Sequence, residues 1–290
     1  MPTPGQASGR QGPGLFLAGA AGLFLLALLA GLYLFFPNEA LKQRLIQEAS
    51  RQTGAETRID SLSLYPLLSL SARRISIGND DLPWPVVIDR LQASPHWTTL
   101  FSGDPGVRTE ARLLQGVVTT SWRQSGRFSA RAEGLRFELP LTAPLTLRIA
   151  GTLDTAEIAS GTRLDSDTET RLTLRLTGVT VVGLDLTGAG PVDLDFGTIT
   201  LTVEGQGRTL RLSALRAAGG LFDIDGGGSL LVGRTADASR LQLSLRIRPA
   251  EQLDPNLAAL LELAGRPDAD GRYTLQINGS LTKPSINFGG

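Results

Sequence analysis

Very few side chains in this sequence could do chemistry at neutral pH. His96 is the single histidine, and there is no cysteine. A Ser-His-acid or Cys-His relay therefore has at most one centre, in a loop between Pro95 and Trp97. The Gly-x-Ser-x-Gly turn that presents a nucleophilic serine is missing as well. Asp193/Asp195 and Asp223/Asp225 each place two carboxylates on one face of a predicted strand. Calcium needs six to eight oxygens in a shaped loop, and a solvated strand face produces the same pairs without any ion. Gly226-Gly227-Gly228 follows a predicted strand but has neither Gly-x-Gly-x-x-Gly spacing nor a helix after it. It reads as one of several glycine-rich turns, with Gly188-Ala189-Gly190, Gly205-Gln206-Gly207 and Gly219-Gly220, and not as a phosphate cradle. Asn278-Gly279-Ser280 fits a glycosylation sequon, a pattern that arises easily by chance. These residues predict no catalytic site, no metal site and no cofactor. Without cysteine there is also no disulfide framework, thiolate metal site or redox centre.

The elements around these residues say more. Residues 15–36 are free of charge and strong polarity. As a helix they would be about 33 Å long, enough for a hydrocarbon core of about 30 Å. The run is longer than the apolar core of a cleaved signal, and Tyr33, Phe35 and Phe36 fall where an interfacial aromatic belt would sit. The sequence thus predicts a disordered tail over 1–14, one transmembrane helix over 15–36, a connecting amphipathic helix over 37–54 and a β-rich domain over 55–290. Ala18/Gly22 and Ala27/Gly31 are small residues four apart and are candidates for helix–helix contact in the membrane. Charge does not fix the orientation. Arg10 precedes the apolar run, Lys42, Arg44 and Arg51 follow it, and long domains are translocated regardless of such counts. Over the whole chain 28 basic residues balance 28 acidic ones, which gives nucleic acid nothing to hold.

Beyond residue 57 the apolar period is two. Leu172/Leu174/Leu176, Leu194/Phe196, Ile199/Leu201/Val203, Leu210/Leu212, Leu241/Leu243/Leu245/Ile247 and Tyr273/Leu275/Ile277 alternate with polar residues. Strict alternation gives each strand one oily and one wet face, so the expected fold is mainly β: a large antiparallel, curved sheet, sandwich or groove. Two short helices interrupt it. Asn38 caps the first, over Leu41, Leu45, Ile46 and Ala49. Asp254 caps the second, with Pro255 at its first position and Leu257, Leu260, Leu261 and Leu263 before Gly265. His96–Phe101 reads as one helical turn.

Leucine fills oily positions where valine and isoleucine are the better strand formers. An ordinary closed core explains this. So does a bent sheet whose concave side is a hydrophobic groove able to hold an acyl chain. The residues of that core or groove are Leu172, Leu174, Leu176, Leu194, Phe196, Leu201, Leu210, Leu212, Leu241, Leu243, Leu245, Ile247, Leu275 and Ile277.

Several segments carry a family resemblance. They are Phe36-Pro37-Asn38-Glu39-Ala40-Leu41 after the apolar run, Ile59–Leu64 with Leu70–Ile77, and Leu91-x-Ala-Ser-Pro-x-Trp-x-x-Leu-Phe-Ser-Gly103. The last is Asp270–Ile286, with its ending Gly-x-Leu-x-x-Pro-x-Ile. The chain resembles protein N of type II secretion systems, in the form found in deltaproteobacterial-type gene clusters. The ending is also similar to the AsmA-like envelope proteins, whose β grooves are associated with lipid traffic. The resemblance implies a bitopic inner-membrane protein with its β body in the periplasm. It implies an accessory, non-enzymatic role in protein secretion, with other envelope proteins as partners and phospholipid as the alternative ligand. It supplies no catalytic residues.

Overall fold

The computed structural model describes residues 38–53, 55–65, 69–78, 86–100, 103–141, 147–161, 167–184, 192–233, 235 and 237–289. The apolar segment 15–36, with Ala18, Gly22, Ala27 and Gly31, lies outside them, as do the tail before it and the predicted turns at 79–81 and 188–190. Among the described residues no helix is long and apolar enough to cross a membrane.

Helix α1 (Asn38–Thr53) leads into a single antiparallel sheet of fourteen strands. They are β1 (Glu56–Tyr65), β2 (Ser69–Gly78), β3 (Val86–Pro95), β4 (Gly106–Leu113), β5 (Gly116–Arg123), β6 (Arg127–Leu141) and β7 (Leu147–Gly161). After these come β8 (Glu169–Leu184), β9 (Val192–Gln206), β10 (Thr209–Ala218), β11 (Phe222–Leu231), β12 (Arg240–Pro249), β13 (Tyr273–Ser280) and β14 (Pro284–Gly289). Their spatial order is their sequence order. Each strand pairs with the next in the chain, and all connections but the one between β12 and β13 are short. One helical turn, Trp97–Leu100, follows β3, and helix α2 (Pro255–Ala264) separates β12 from β13. Asp254 caps α2 as the sequence predicts: its carboxylate accepts the Asn256 N–H at 2.8 Å, with Pro255 at the first position.

The architecture is one curved, open layer, not a sandwich. Contacts between elements are overwhelmingly those of neighbouring strands, joined by α1 on β1 and an approach of β9 to β11 across β10. That approach marks a sharp coil: the Leu221 N–H reaches past β10 to the Asp195 carbonyl, 2.7 Å away. Among the described residues a buried apolar cluster lies at the amino-terminal end. Leu41 and Leu45 of α1 pack there on Leu62, Ala72 and Ile75. No large described side chain is fully enclosed.

Two sequence expectations change. Gly226-Gly227-Gly228 is no turn, because it lies inside β11 and pairs with Leu245, Ser244 and Leu243 of β12. Val192–Phe196 and Ile199–Val203 are not separate strands either. They are one strand, β9, carried through Gly197 in the left-handed region at φ 62°. Glycine is needed there, since a Cβ on Gly197 would come within 2.4 Å of the Ala218 carbonyl oxygen.

The β5–β6 hairpin is fastened by one carboxylate. Asp104 accepts the Ser125 N–H at 2.8 Å, the Ser125 hydroxyl at 3.0 Å and the Arg127 guanidinium at 2.9 Å. The Ser125 amide, aided by Arg127 and opposed by partial desolvation, holds the Asp104 carboxyl below its ordinary range. A carboxyl lowered by folding stabilises the fold above its unfolded pKa of about 3.9, and that contribution is lost as pH falls through the lower folded value. Asp104→Ala is therefore expected to speed hydrogen exchange at the Ser125 amide at pH 7. In the unsubstituted protein the same loss of protection appears only under acid, below the usual carboxylate range. Unchanged exchange in the variant would show that the turn holds without the clip.

Candidate functional site

The sheet joins the predicted oily residues into rows that no single strand reveals. Register places Ala111, Val118, Ala132, Ala156, Leu174, Leu201, Leu215, Gly226, Leu245, Leu275 and Phe288 side by side, one per strand from β4 to β14. A second row runs Ile158, Leu172, Val203, Leu212, Gly228, Leu243, Ile277 and Ile286 from β7 to β14. A third joins Leu153, Leu176, Ile199, Ala217, Ile224, Ile247 and Tyr273. Leu210 lies beside Leu230 and Leu241 at one margin. At the other margin Leu194 pairs with Val181, and the Phe196 and Phe222 rings meet at 5.7 Å between centroids. At about 4.8 Å per strand, the first row is an apolar band roughly 50 Å long.

This face is neither a sealed core nor a free surface. Of the predicted residues, Leu212 is buried at 9 % exposure, and the other thirteen are half-buried although, among the described residues, no second sheet lies over them. Curvature shelters them. At Gly226 and Gly228, whose missing side chains face the band, a Cβ would lie 2.4 Å from the Ser244 carbonyl oxygen and 2.1 Å from that of Gln242. Leu245 and Leu243 lean over these positions, with Cδ2 atoms 2.6 and 2.8 Å from the same points. Gly205 stands in the same relation to β10, at 2.3 Å from the Thr209 carbonyl oxygen. Glycine at these places lets a strand turn its oily face sharply toward its neighbour. In the linear sequence these glycines read as turn residues, which hides this role. The alanines are hidden as well, since their small side chains give a weak period-two signal.

The opposite face is charged and wet. Arg131 bridges to Glu157 at 2.9 Å, Arg171 to Glu204 at 3.1 Å, Arg148 to Glu138 at 2.9 Å and Arg246 to Asp225 at 3.6 Å. These pairs are exposed and add little energy each, but they match neighbouring strands across the sheet. The aspartate pairs belong to this side. Asp193 accepts the Gly183 N–H at 3.3 Å, and Asp195 accepts the Gly197 N–H at 2.7 Å. Both are exposed backbone supports. Among the described residues no cluster of His, Asp and Glu could hold a metal ion. The His96 Nε2 lies 3.4 Å from the Ser121 hydroxyl, a long contact at the end of β3. A depression of about 510 Å³ opens on the wet side over Gly227, between Arg211, Gln242, Ser244 and Gln276. It gathers amides and hydroxyls without a base and nucleophile in reach of one another.

Fold and site together define a class: a repetitive β body with one oily and one charged side. The chain belongs to the type II secretion system protein N family, whose description matches residues 71–276. That match runs from β2 into β13, covers most of the apolar band and makes the chain a type II secretion system component. No curated protein and no solved structure shows a match.

Proposed function

We propose that the protein is an accessory, non-enzymatic component of a type II secretion machine. In this reading residues 15–36 cross the inner membrane once and the sheet stands in the periplasm. Family membership carries the proposal, and the charge-free run of 15–36 supports the membrane span. In this role the body binds other envelope proteins of the machine through its surface. Detergent extracts should then yield other secretion-system subunits together with this protein, and a deletion strain should secrete less. Clean isolation without those subunits, combined with intact secretion, would refute the role.

One observation favours a second reading, in which the body binds or passes phospholipid as AsmA-like proteins are thought to do. It is the apolar band, half-sheltered by curvature and, among the described residues, not covered by a second sheet. A surface of this kind is stable in water when something apolar occupies it. Acyl chains fit a long band without specific polar contacts. Native mass spectrometry of the intact protein released from detergent is expected to retain phospholipid. Protein that is lipid-free under conditions preserving known lipid carriers would count against this reading.

A further inference from the structure

The two edges of the sheet are finished differently. At β1 the backbone is capped by α1: the Ser50 hydroxyl accepts the Thr57 N–H at 3.2 Å, and the Lys42 ammonium donates to the Asp60 carbonyl at 3.0 Å. Strand addition at β1 is therefore obstructed. At the other edge β14 pairs with β13 alone among the described residues. Natural edge strands are usually guarded by charge, a bulge or a cover. β14, Pro284-Ser285-Ile286-Asn287-Phe288-Gly289, holds no charged residue, and Ile286 is 60 % exposed. Its proline fixes which groups are free. Pro284 sits opposite Gly279, and having no N–H it can only occupy a position that donates nothing to β13. Ser285 and Asn287 then bond inward, while the N–H and C=O groups of Ile286 and Phe288 point outward.

We propose that this edge pairs with the same edge of a second copy of the chain, antiparallel and centred on Asn287. That register sets Ile286 against the partner's Phe288 on the oily face and Asn287 against the partner's Asn287 on the wet face. It uses all four outward donors and avoids the proline. The pairing is isologous, and with both β1 edges capped it closes at two copies instead of growing into a fibre. The apolar bands of the two copies become one. The inference stands on β14 and α1 and does not depend on what the band binds.

The chain has no cysteine, so single cysteines report the register without background. In the proposed pairing the two Asn287 Cα atoms are about 4.5 Å apart, within disulfide reach. The two Ser285 positions are four residues apart along the strands, roughly 13 Å, and out of reach. The full chain in detergent, oxidised, should give a reducible dimer as the main product for Asn287→Cys and little for Ser285→Cys. Adding Ile286→Pro to Asn287→Cys removes one outward donor but no bond to β13, and should cut the dimer yield severalfold. Association through residues 15–36 alone would not produce this positional difference. Absence of the Asn287→Cys dimer, equal yields at the two positions, or cross-linking to a different protein would each overturn the proposal.

Discussion

Leu174→Lys is expected to leave the protein folded and to weaken phospholipid binding by about 100-fold. Leu174 sits mid-band between Ala156 and Leu201, half-buried and with no second layer above it. Bound acyl chains would close that space, and an ammonium at hydrocarbon depth costs roughly 2.5–3.5 kcal/mol. Each 1.4 kcal/mol is tenfold in affinity, which gives the stated loss. In the empty protein the long lysine stem can lie along the band and carry its charge to water, so the fold survives. Thr173→Lys is the matched control. It is one residue away, on the exposed wet face beside Glu157, and should bind lipid normally. Lipid retention is read by native mass spectrometry and folding by far-ultraviolet circular dichroism. Leu243→Lys repeats the test four strands further along the sheet, next to Gly228 and Ile277. Equal lipid retention by Leu174→Lys and Thr173→Lys would mean that the leucines are core and nothing more.

Gly228→Ala should destabilise the carboxy-terminal part of the sheet by about 1–3 kcal/mol, the range for forcing extra volume into a packed site. The new methyl would arrive 2.1 Å from the Gln242 carbonyl oxygen and 2.9 Å from the Leu243 Cα, both main-chain atoms that cannot rotate away. Gly227→Ala, one residue earlier and facing the wet side, meets the Leu212 carbonyl oxygen at 3.0 Å and nothing nearer. Its effect should be clearly smaller. Because each strand leans mainly on its sequence neighbours, the damage should stay local. Hydrogen exchange is expected to accelerate in β11–β14 of Gly228→Ala, by roughly 5- to 30-fold for each 1–2 kcal/mol lost. Exchange in β1–β7 should be unchanged. Uniform acceleration along the chain would show that the sheet opens as one unit.

Much of this molecule was legible from residue order. Period-two alternation located β8, both halves of β9, β10, β12 and β13, since one oily and one wet face follow directly from the pleat. Asp254-Pro255 fixed the start of α2, because capping and proline chemistry act within one turn. The lone histidine and absent cysteine pointed away from catalysis. What alternation does not contain is the partner of each oily face. A sandwich, a closed core and an open trough share the same strand pattern, because the pattern specifies that a face is apolar and not what covers it.

Tertiary structure decided the rest. Gly226 and Gly228 look like a turn in a linear reading, since glycine's local signature is conformational freedom. Their role is close approach to Ser244 and Gln242, atoms fourteen or more residues away, and no local rule encodes that distance. The same holds for the band, whose continuity from Ala111 to Phe288 exists only once eleven strands have taken register. It holds also for the sheet's edges, where α1 covers β1 and, among the described residues, β14 pairs with β13 alone. Residue order by itself set which side of every strand avoids water, because that choice is made one pleat at a time. Only the assembled sheet set how far that side extends, how sharply it bends and where it stays open, because those properties depend on strands meeting across space.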